Sequence, residues 1–371
     1  MSAELSLEGL HLGRRPIDLG RLRAGTVLGL MGSPDSITEV VLSAAALSGV
    51  APPPLIPTGF RSGRLRVRRW VRTYFRAAGA DPGEAALAAA CTEFGLPPKA
   101  LRGRLSDLDA GARAKLVVAL AWATGAKWLT FIDPFAGVPG HIRTGLRARL
   151  ADLAAAQGRG IVFSSDTLTD FIIAEAGVAD IEKGELVAFG SLASVVSEPR
   201  GSLPAELTGV NIWSGLARKG WLSIGHSAVR ARTELDGKVF VTLPWRSALV
   251  SLDEHDPAFT SAAVFEAIVV GLRDRGTAIQ AKLSPVDTEM GLALDVDLAD
   301  LARLGGGTGG TAGADDGGTG DSGDDADYGA AFGILHPGLG ETLAQLRAAV
   351  RVGTHVFVEV DTSALRAYSV E

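Results

Sequence analysis

The sequence predicts an α/β layer structure over its first part and a β-rich second domain after it. Two observations carry this. Up to about residue 200, short and almost wholly apolar runs alternate with longer stretches of helical period, the pattern of a sheet buried on both faces. From about Asn211 the pattern becomes strands of alternating polarity separated by turn residues. A chain of 371 residues is long enough for two separate cores, placed at 1–200 and 205–371.

The elements follow in order. Residues 26–28, 128–132 and 160–163 are short apolar strands, and 110–123 and 143–156 have helical period. In the second domain, 239–243, 248–252, 278–283 and 356–360 alternate as half-buried strands. Residues 305–329 hold mainly Gly, Thr and Asp without apolar periodicity, so a flexible loop is expected there. Its aspartates follow no fixed period, so calcium is not expected.

Composition narrows the function classes. Hydrophobic residues make up 47% of the chain, yet the longest apolar candidate for a membrane span, 115–132, is broken by Thr124, Gly125 and Lys127. Met1-Ser2-Ala3-Glu4 opens no secretory signal, and Cys91, the single cysteine, cannot form an intrachain disulfide, so a cytoplasmic location is expected. The six histidines show no zinc-ligand spacing, so no metal site is expected. A net charge of −6 argues against general nucleic-acid binding.

Gly29-Leu30-Met31-Gly32-Ser33-Pro34-Asp35-Ser36-Ile37 lies between an apolar strand and a helical pattern. It has the outline of the phosphate-binding pattern G-x-x-x-x-G-K-[ST], with Gly29 and Ser36 at its first and last positions and Gly32 and Ser33 between them. The second glycine is Pro34, which has no N–H to give, and the lysine is Asp35. One carboxylate about 4 Å from a phosphate oxygen costs on the order of 4 kcal/mol at an effective dielectric near 20. The same residues also read as a plain helix start: Ser33 as N-cap, Pro34 as first helical residue, Asp35 and Glu39 toward the positive helix end.

With Asp133-Pro134 downstream, residues 4–200 resemble an ABC-transporter ATPase, a P-loop NTPase-like fold. The family's LSGGQ signature aligns with Leu108-Asp109-Ala110-Gly111-Ala112, and without a gap its D-E-P falls on Ile132-Asp133-Pro134. The switch segment V-T-H-D resembles Phe163-Ser164-Ser165-Asp166, and the closing hairpin resembles residues 182–190. The resemblance implies a degenerate Walker A at Gly29, Gly32, Ser33, Asp35 and Ser36, and a degenerate signature at Gly111. Asp133 stands at the catalytic-glutamate position and Ser165 at the switch-histidine position. The magnesium-holding Asp is replaced by Ile132, the signature serine and first glycine by Asp109 and Ala110. No adenine-stacking aromatic occurs near 10–13 and no glutamine in 55–60. Phosphoryl transfer relies on positioning and electrostatic stabilisation, so these replacements imply little or no ATP or magnesium binding.

The C-terminal part resembles the β-rich, OB-like TOBE domain of molybdate-type importers. Gly209-Val210-Asn211-Ile212-Trp213-Ser214-Gly215 is similar to its opening and residues 353–365 to its closing strands. Where the family binds oxyanions, this chain has Thr260-Ser261-Ala262-Ala263 and Val360-Asp361-Thr362-Ser363. Arg, Asn and Lys are gone, leaving Thr260, Thr362 and Ser363 as neutral donors for at most weak oxyanion binding.

The resemblance implies a non-hydrolysing scaffold or regulatory subunit with an ABC-type dimer partner, identical or different. A transmembrane permease would then place it at the inner face of the membrane. Two alternatives are an importer ATPase with atypical motifs and a soluble oxyanion-sensing TOBE protein. One further pattern stands apart: Val67, Trp70, Val71, Tyr74 and Phe75 share one helical face, and Arg61, Arg64, Arg68, Arg72 and Arg76 follow the other. That stripe fits a solvated face, an acidic partner helix, anionic headgroups or, least well, nucleic acid.

Overall fold

The computed structural model describes residues 4–6, 10–12, 15–17, 19–23, 25–56, 64–260, 264–275, 279–298 and 350–370. The chain divides into two compact units, Met1–Ile212 and Trp213–Glu371. The stretch 305–329, Arg61, most of the 55–60 segment and Ser261 to Ala263 lie outside the described residues.

The first unit opens with β1 (Glu4–Ser6), β2 (Leu10–Leu12), β3 (Arg15–Ile17) and β4 (Arg21–Arg23), paired antiparallel as β1 with β4 and β2 with β3. Then come β5 (Val27–Gly32), α1 (Pro34–Ser48), α2 (Val67–Ala77), α3 (Gly83–Glu93), α4 (Ala110–Ala123), β6 (Trp128–Phe131) and α5 (Gly140–Ala156). The unit ends with β7 (Gly160–Ser164), α6 (Leu168–Ile173), β8 (Gly177–Glu182), β9 (Glu185–Ser191), α7 (Leu192–Ser197) and α8 (Ser202–Thr208). The main sheet has the order β6-β7-β5-β8-β9, with β5 parallel to both β7 and β8 and β9 antiparallel at the edge.

Both faces of the sheet are covered at β5, β6 and β7, which is why these strands are mostly apolar. Leu28 and Leu30 of β5 pack with Ile37, Val40 and Val41 of α1, while Met31 joins the opposite core with α2 and α4. The β8–β9 hairpin turns on Lys183 and Gly184, with φ of 50° and 82°, the paired left-handed conformations of a type I′ turn. At α2 the spacing holds as expected: Val67, Trp70, Val71, Tyr74 and Phe75 are buried.

One element differs from the sequence expectation. The first strand does not stop at residue 28 but runs to Gly32, because Met31 and Gly32 pair with Asp180 and Ile181 of β8. The segment expected as a loop is thus strand up to one residue before the helix. Gly29 faces Phe171, and a Cβ there would sit 2.4 Å from the ring. Gly32 has φ +146°, and a Cβ there would meet the Ile181 carbonyl oxygen at 2.4 Å.

The second unit carries β10 (Val210–Arg218), β11 (Trp221–Ile224), β12 (Arg230–Arg232), β13 (Gly237–Pro244) and β14 (Ala248–Ser251). It continues with β15 (Val264–Asp274), β16 (Ile279–Pro285), β17 (Leu294–Asp297), β18 (His355–Val360) and β19 (Arg366–Ser369). Two five-stranded sheets, β12-β11-β10-β13-β19 and β14-β18-β15-β16-β17, share one core. Val239, Val241 and Leu243 come from the first sheet, and Phe265, Leu283, Val296, Val356 and Val358 from the second. The fold class is therefore the layered one the sequence predicts: an α/β unit with a mostly parallel sheet, followed by a β-rich unit.

Asp180 in β8 is wholly buried, and neither carboxyl oxygen completes a hydrogen bond among the described residues. Burial, reinforced by the Glu182 charge, pushes it up to about 7, while the nearby Gly201 and Ile181 amides pull the other way. With a folded pKa above the unfolded one, the native state holds the extra proton, so stability falls as pH rises from about 4 to about 7 and levels off above that. Asp180→Asn should flatten that slope and make the protein more stable than the parent at pH 8. Urea midpoints at pH 5 and pH 8 decide it; an unchanged slope would mean that the carboxyl is charged and solvated.

Candidate functional site

The start of α1 satisfies itself. Ser33 is the N-cap, its Oγ accepting from the Ser36 N–H at 3.4 Å and donating to Ser36 Oγ at 2.9 Å. Its carbonyl takes the Ile37 N–H at 3.0 Å, and Pro34 fills the first turn with no donor. Asp35 lies in that same first turn, with its negative charge at the positive helix end. Of the five residues aligned with a degenerate Walker A, Gly29 and Gly32 are strand, and Ser33, Asp35 and Ser36 belong to the cap and first turn.

The signature helix starts the same way. Asp109 is the N-cap of α4 and its Oδ1 accepts the Ala112 N–H at 2.7 Å. Gly111 is buried in the first turn, where a Cβ would come within 3.1 Å of Ile142. Here the serine position has become a carboxylate, which caps the helix and repels any second anion.

At the carboxyl ends of β6 and β7, where parallel sheets of this kind place their ligands, a charged cluster is assembled. Asp133 has φ +40°, a left-handed conformation that a residue with a side chain seldom takes. Its N–H donates to Ser164 Oγ at 2.9 Å, and its buried Oδ1 has no partner among the described residues. Burial, then the Asp166 charge, pushes Asp133 up to about 6 against the pull of Arg143.

Ser165 is buried and donates to Asp170 Oδ2 at 2.6 Å. Asp170, with no exposed surface, also accepts from Arg143 Nε at 3.1 and 3.2 Å, from Arg143 Nη2 at 2.6 Å, and from Arg147 Nη1. Burial alone would raise the Asp170 pKa, but the Arg143, Ser165 and Arg147 hydrogen bonds and the Arg143 charge outweigh it and hold the carboxyl below its usual range. Arg143 Nη2 reaches Ser165 Oγ at 3.1 Å and the exposed Asp166 at 3.2 Å as well.

Sequence reasoning placed Asp133 and Ser165 here but missed Arg143, Arg147 and Asp170. The available signals were an Arg-x-x-x-Arg pair one helical turn apart on α5 and a lone aspartate inside the apolar Leu168–Ile173. The donor set does not suit a magnesium-bound phosphate. Ile132 offers no ligand oxygen, the cations are engaged by Asp170, and carboxylates stand at both helix starts. Among the described residues no group of three or more His, Cys, Asp or Glu is arranged to hold a metal.

In the second unit, Thr260 and Ser363, two of the three neutral donors, bond to the chain's own acids. Thr260 donates its N–H (3.0 Å) and its hydroxyl (3.1 Å) to Glu359. Ser363 donates its N–H (2.9 Å) and hydroxyl (2.6 Å) to Asp361, whose pKa these bonds lower.

No protein-family profile matches the chain. The chain is 27% identical over 109 residues to the molybdenum import ATP-binding protein ModC of two Mycobacterium tuberculosis strains, covering 29% of this chain. It thus spans about a third of the length of the curated relatives it matches, 30%. Among solved structures, a dimeric ATP-binding cassette in a post-hydrolysis state with ADP and Pi aligns with a TM-score of 0.40 at 12% identity, over 51% of this chain and 98% of that one. A bacterial Atm1-family ABC exporter with ATP bound aligns with a TM-score of 0.41 at 14% identity, over 56% of this chain and 41% of that one. Sequence similarity and motif order together make the chain similar to ABC ATP-binding subunits of importer type.

Removing the anion from the cluster strands two cations whose side chains are 14% and 4% exposed. Asp170→Ala should therefore cost about 3–5 kcal/mol, whereas Asp166→Asn, at a site 68% exposed, should cost less than about 1 kcal/mol. Equilibrium urea unfolding of both variants checks this, and near-equal losses would contradict the ranking.

Proposed function

We propose that this chain is a non-hydrolysing relative of ABC-transporter ATP-binding subunits, acting as a scaffold or regulatory partner in transmembrane transport. The observation that carries the reading is the start of α1. There Ser33 takes the Ser36 N–H, Pro34 offers none, and Asp35 holds a carboxylate where the family's lysine would meet phosphate. Ile132, which offers no ligand oxygen, and Arg143, engaged by Asp170, support it. ATP and magnesium are accordingly not its cofactors in this reading. The similarity to a molybdenum import ATP-binding protein supports an importer-type setting: a second ABC-type subunit, a permease, and a place at the cytoplasmic face of the membrane. The β-rich unit acts as a TOBE-type domain that has exchanged oxyanion binding for internal bonds to Glu359 and Asp361.

One observation favours a working ATPase instead. Asp133 keeps a carboxylate at the water-activating position, in a left-handed backbone and with an unpartnered oxygen. Calorimetric titration separates the two readings. No saturable Mg-ATP binding is expected up to about 1 mM, and a micromolar Kd with magnesium-dependent hydrolysis would replace the scaffold with the enzyme. Asp35→Lys alone should leave hydrolysis absent, because Ile132 and Ser165 still lack the chemistry of the family's Asp and His.

A further inference from the structure

We infer that the outer face of α2, with the turn beside it, is a contact surface for anionic phospholipid headgroups. The inner face of this helix, Val67, Trp70, Val71, Tyr74 and Phe75, is buried. Arg66, Arg68, Arg69, Arg72 and Arg76 are exposed on the other side. The turn 98–102 packs against α2 and adds exposed Lys99 and Arg102.

This arrangement works against the helix that carries it. Arg66 sits at the N-cap and makes no capping hydrogen bond, and the first turn has no acid. Arg68 and Arg69 therefore place positive charge at the positive end of the helix dipole. Arg68, Arg72 and Arg76 repeat at i and i+4, where like charges repel. Among the described residues none of these five side chains has a hydrogen bond or an ion pair. α1 and α4 are capped by Ser33 and Asp109, and α3, α5, α6 and α8 also lack a side-chain cap, but among the described α-helices only α2 sets two arginines in its uncapped first turn. A face kept only for solubility is served by mixed signs and by Glu–Arg pairs one turn apart.

The chemistry of the face selects the partner. Guanidinium groups pair with phosphate oxygens in a bidentate fork, and a leaflet of anionic lipid presents many phosphates in one plane. No large apolar residue of α2 is exposed, so the contact is electrostatic and without insertion. The aromatic rings of Trp70 and Tyr74 face inward, so no stacking platform for bases is offered, and the chain is acidic overall at −6. The inference does not depend on the nucleotide reading, since an active ATPase would carry the same surface.

Flotation of the full chain with vesicles tests it. Binding is expected to vesicles of phosphatidylcholine with about one-third phosphatidylglycerol and not to phosphatidylcholine alone, and it should fall with added salt. Arg68→Gln/Arg72→Gln/Arg76→Gln should weaken partition about a hundredfold, at roughly fivefold per charge, while Arg218→Gln in the second unit leaves it unchanged. The triple variant should melt at or above the parent's temperature, because repulsion and dipole mismatch are relieved. If it does not fold, Arg72→Gln alone, expected at about fivefold, decides. Equal binding to both vesicles, wild-type binding by a folded triple variant, or tighter binding to duplex DNA than to the anionic vesicles at the same salt would each overturn the inference.

Discussion

Asp170 has no exposed surface, and what surrounds it fixes the ends of three elements at once. Arg143 and Arg147 reach it from α5, one helical turn apart, and Ser165 reaches it from the end of β7. Held this way, α6 sets Phe171 against Gly29 of β5, stacked on Phe163 with ring centroids 5.3 Å apart. The glycine in the central strand, the aromatic pair and the cations on α5 therefore depend on one another. A buried pair of this kind contributes little net stability over an apolar substitute, but breaking it is costly. Its effect is to specify position: with the carboxylate in place, α5 and α6 have one register against the sheet.

The same economy recurs at four further anion-binding features of the sequence. Helix starts present N–H groups and a partial positive charge, and hydroxyl donors do the same on a smaller scale. At α1 and α4 those groups are met by Ser33 and Asp109, and in the second unit Thr260 and Ser363 give theirs to Glu359 and Asp361. An external anion would have to displace each internal acceptor, and three of the four are carboxylates beside which it would then sit. A helix start that satisfies itself also gains stability without a ligand.

How much of this the sequence discloses depends on the range of the interaction. The α2 face, the β13, β14, β16 and β18 alternation and the cap at Ser33 are local patterns, and each is legible from residues within a few positions. The length of β5 is not, because its last residues are strand through pairing with β8, some 150 positions away in the chain. The partner of Gly29 is equally remote: its absent side chain leaves room for the Phe171 ring, which no local pattern announces. Asp170 stayed hidden for the same reason, since its partners on α5 lie more than twenty residues earlier and only the fold brings them together.

Cations are thus treated in two ways within one unit. Arg147, buried, is paired with Asp170, Arg143 serves Asp170 and Asp166 together, and Arg159 lies 4.0 Å over the Trp122 ring and donates to its carbonyl. The arginines of α2 receive nothing of the kind, although the chain carries 42 acidic residues against 36 Lys and Arg and could have supplied partners. Exposure alone does not account for the difference, because exposed Arg149 is paired with Glu93 at the end of α3. What separates the two sets is the direction in which the charge can be used. A cation turned toward the core must be neutralised by the chain itself, whereas a row of uncompensated cations on an exposed face retains its field toward the surroundings.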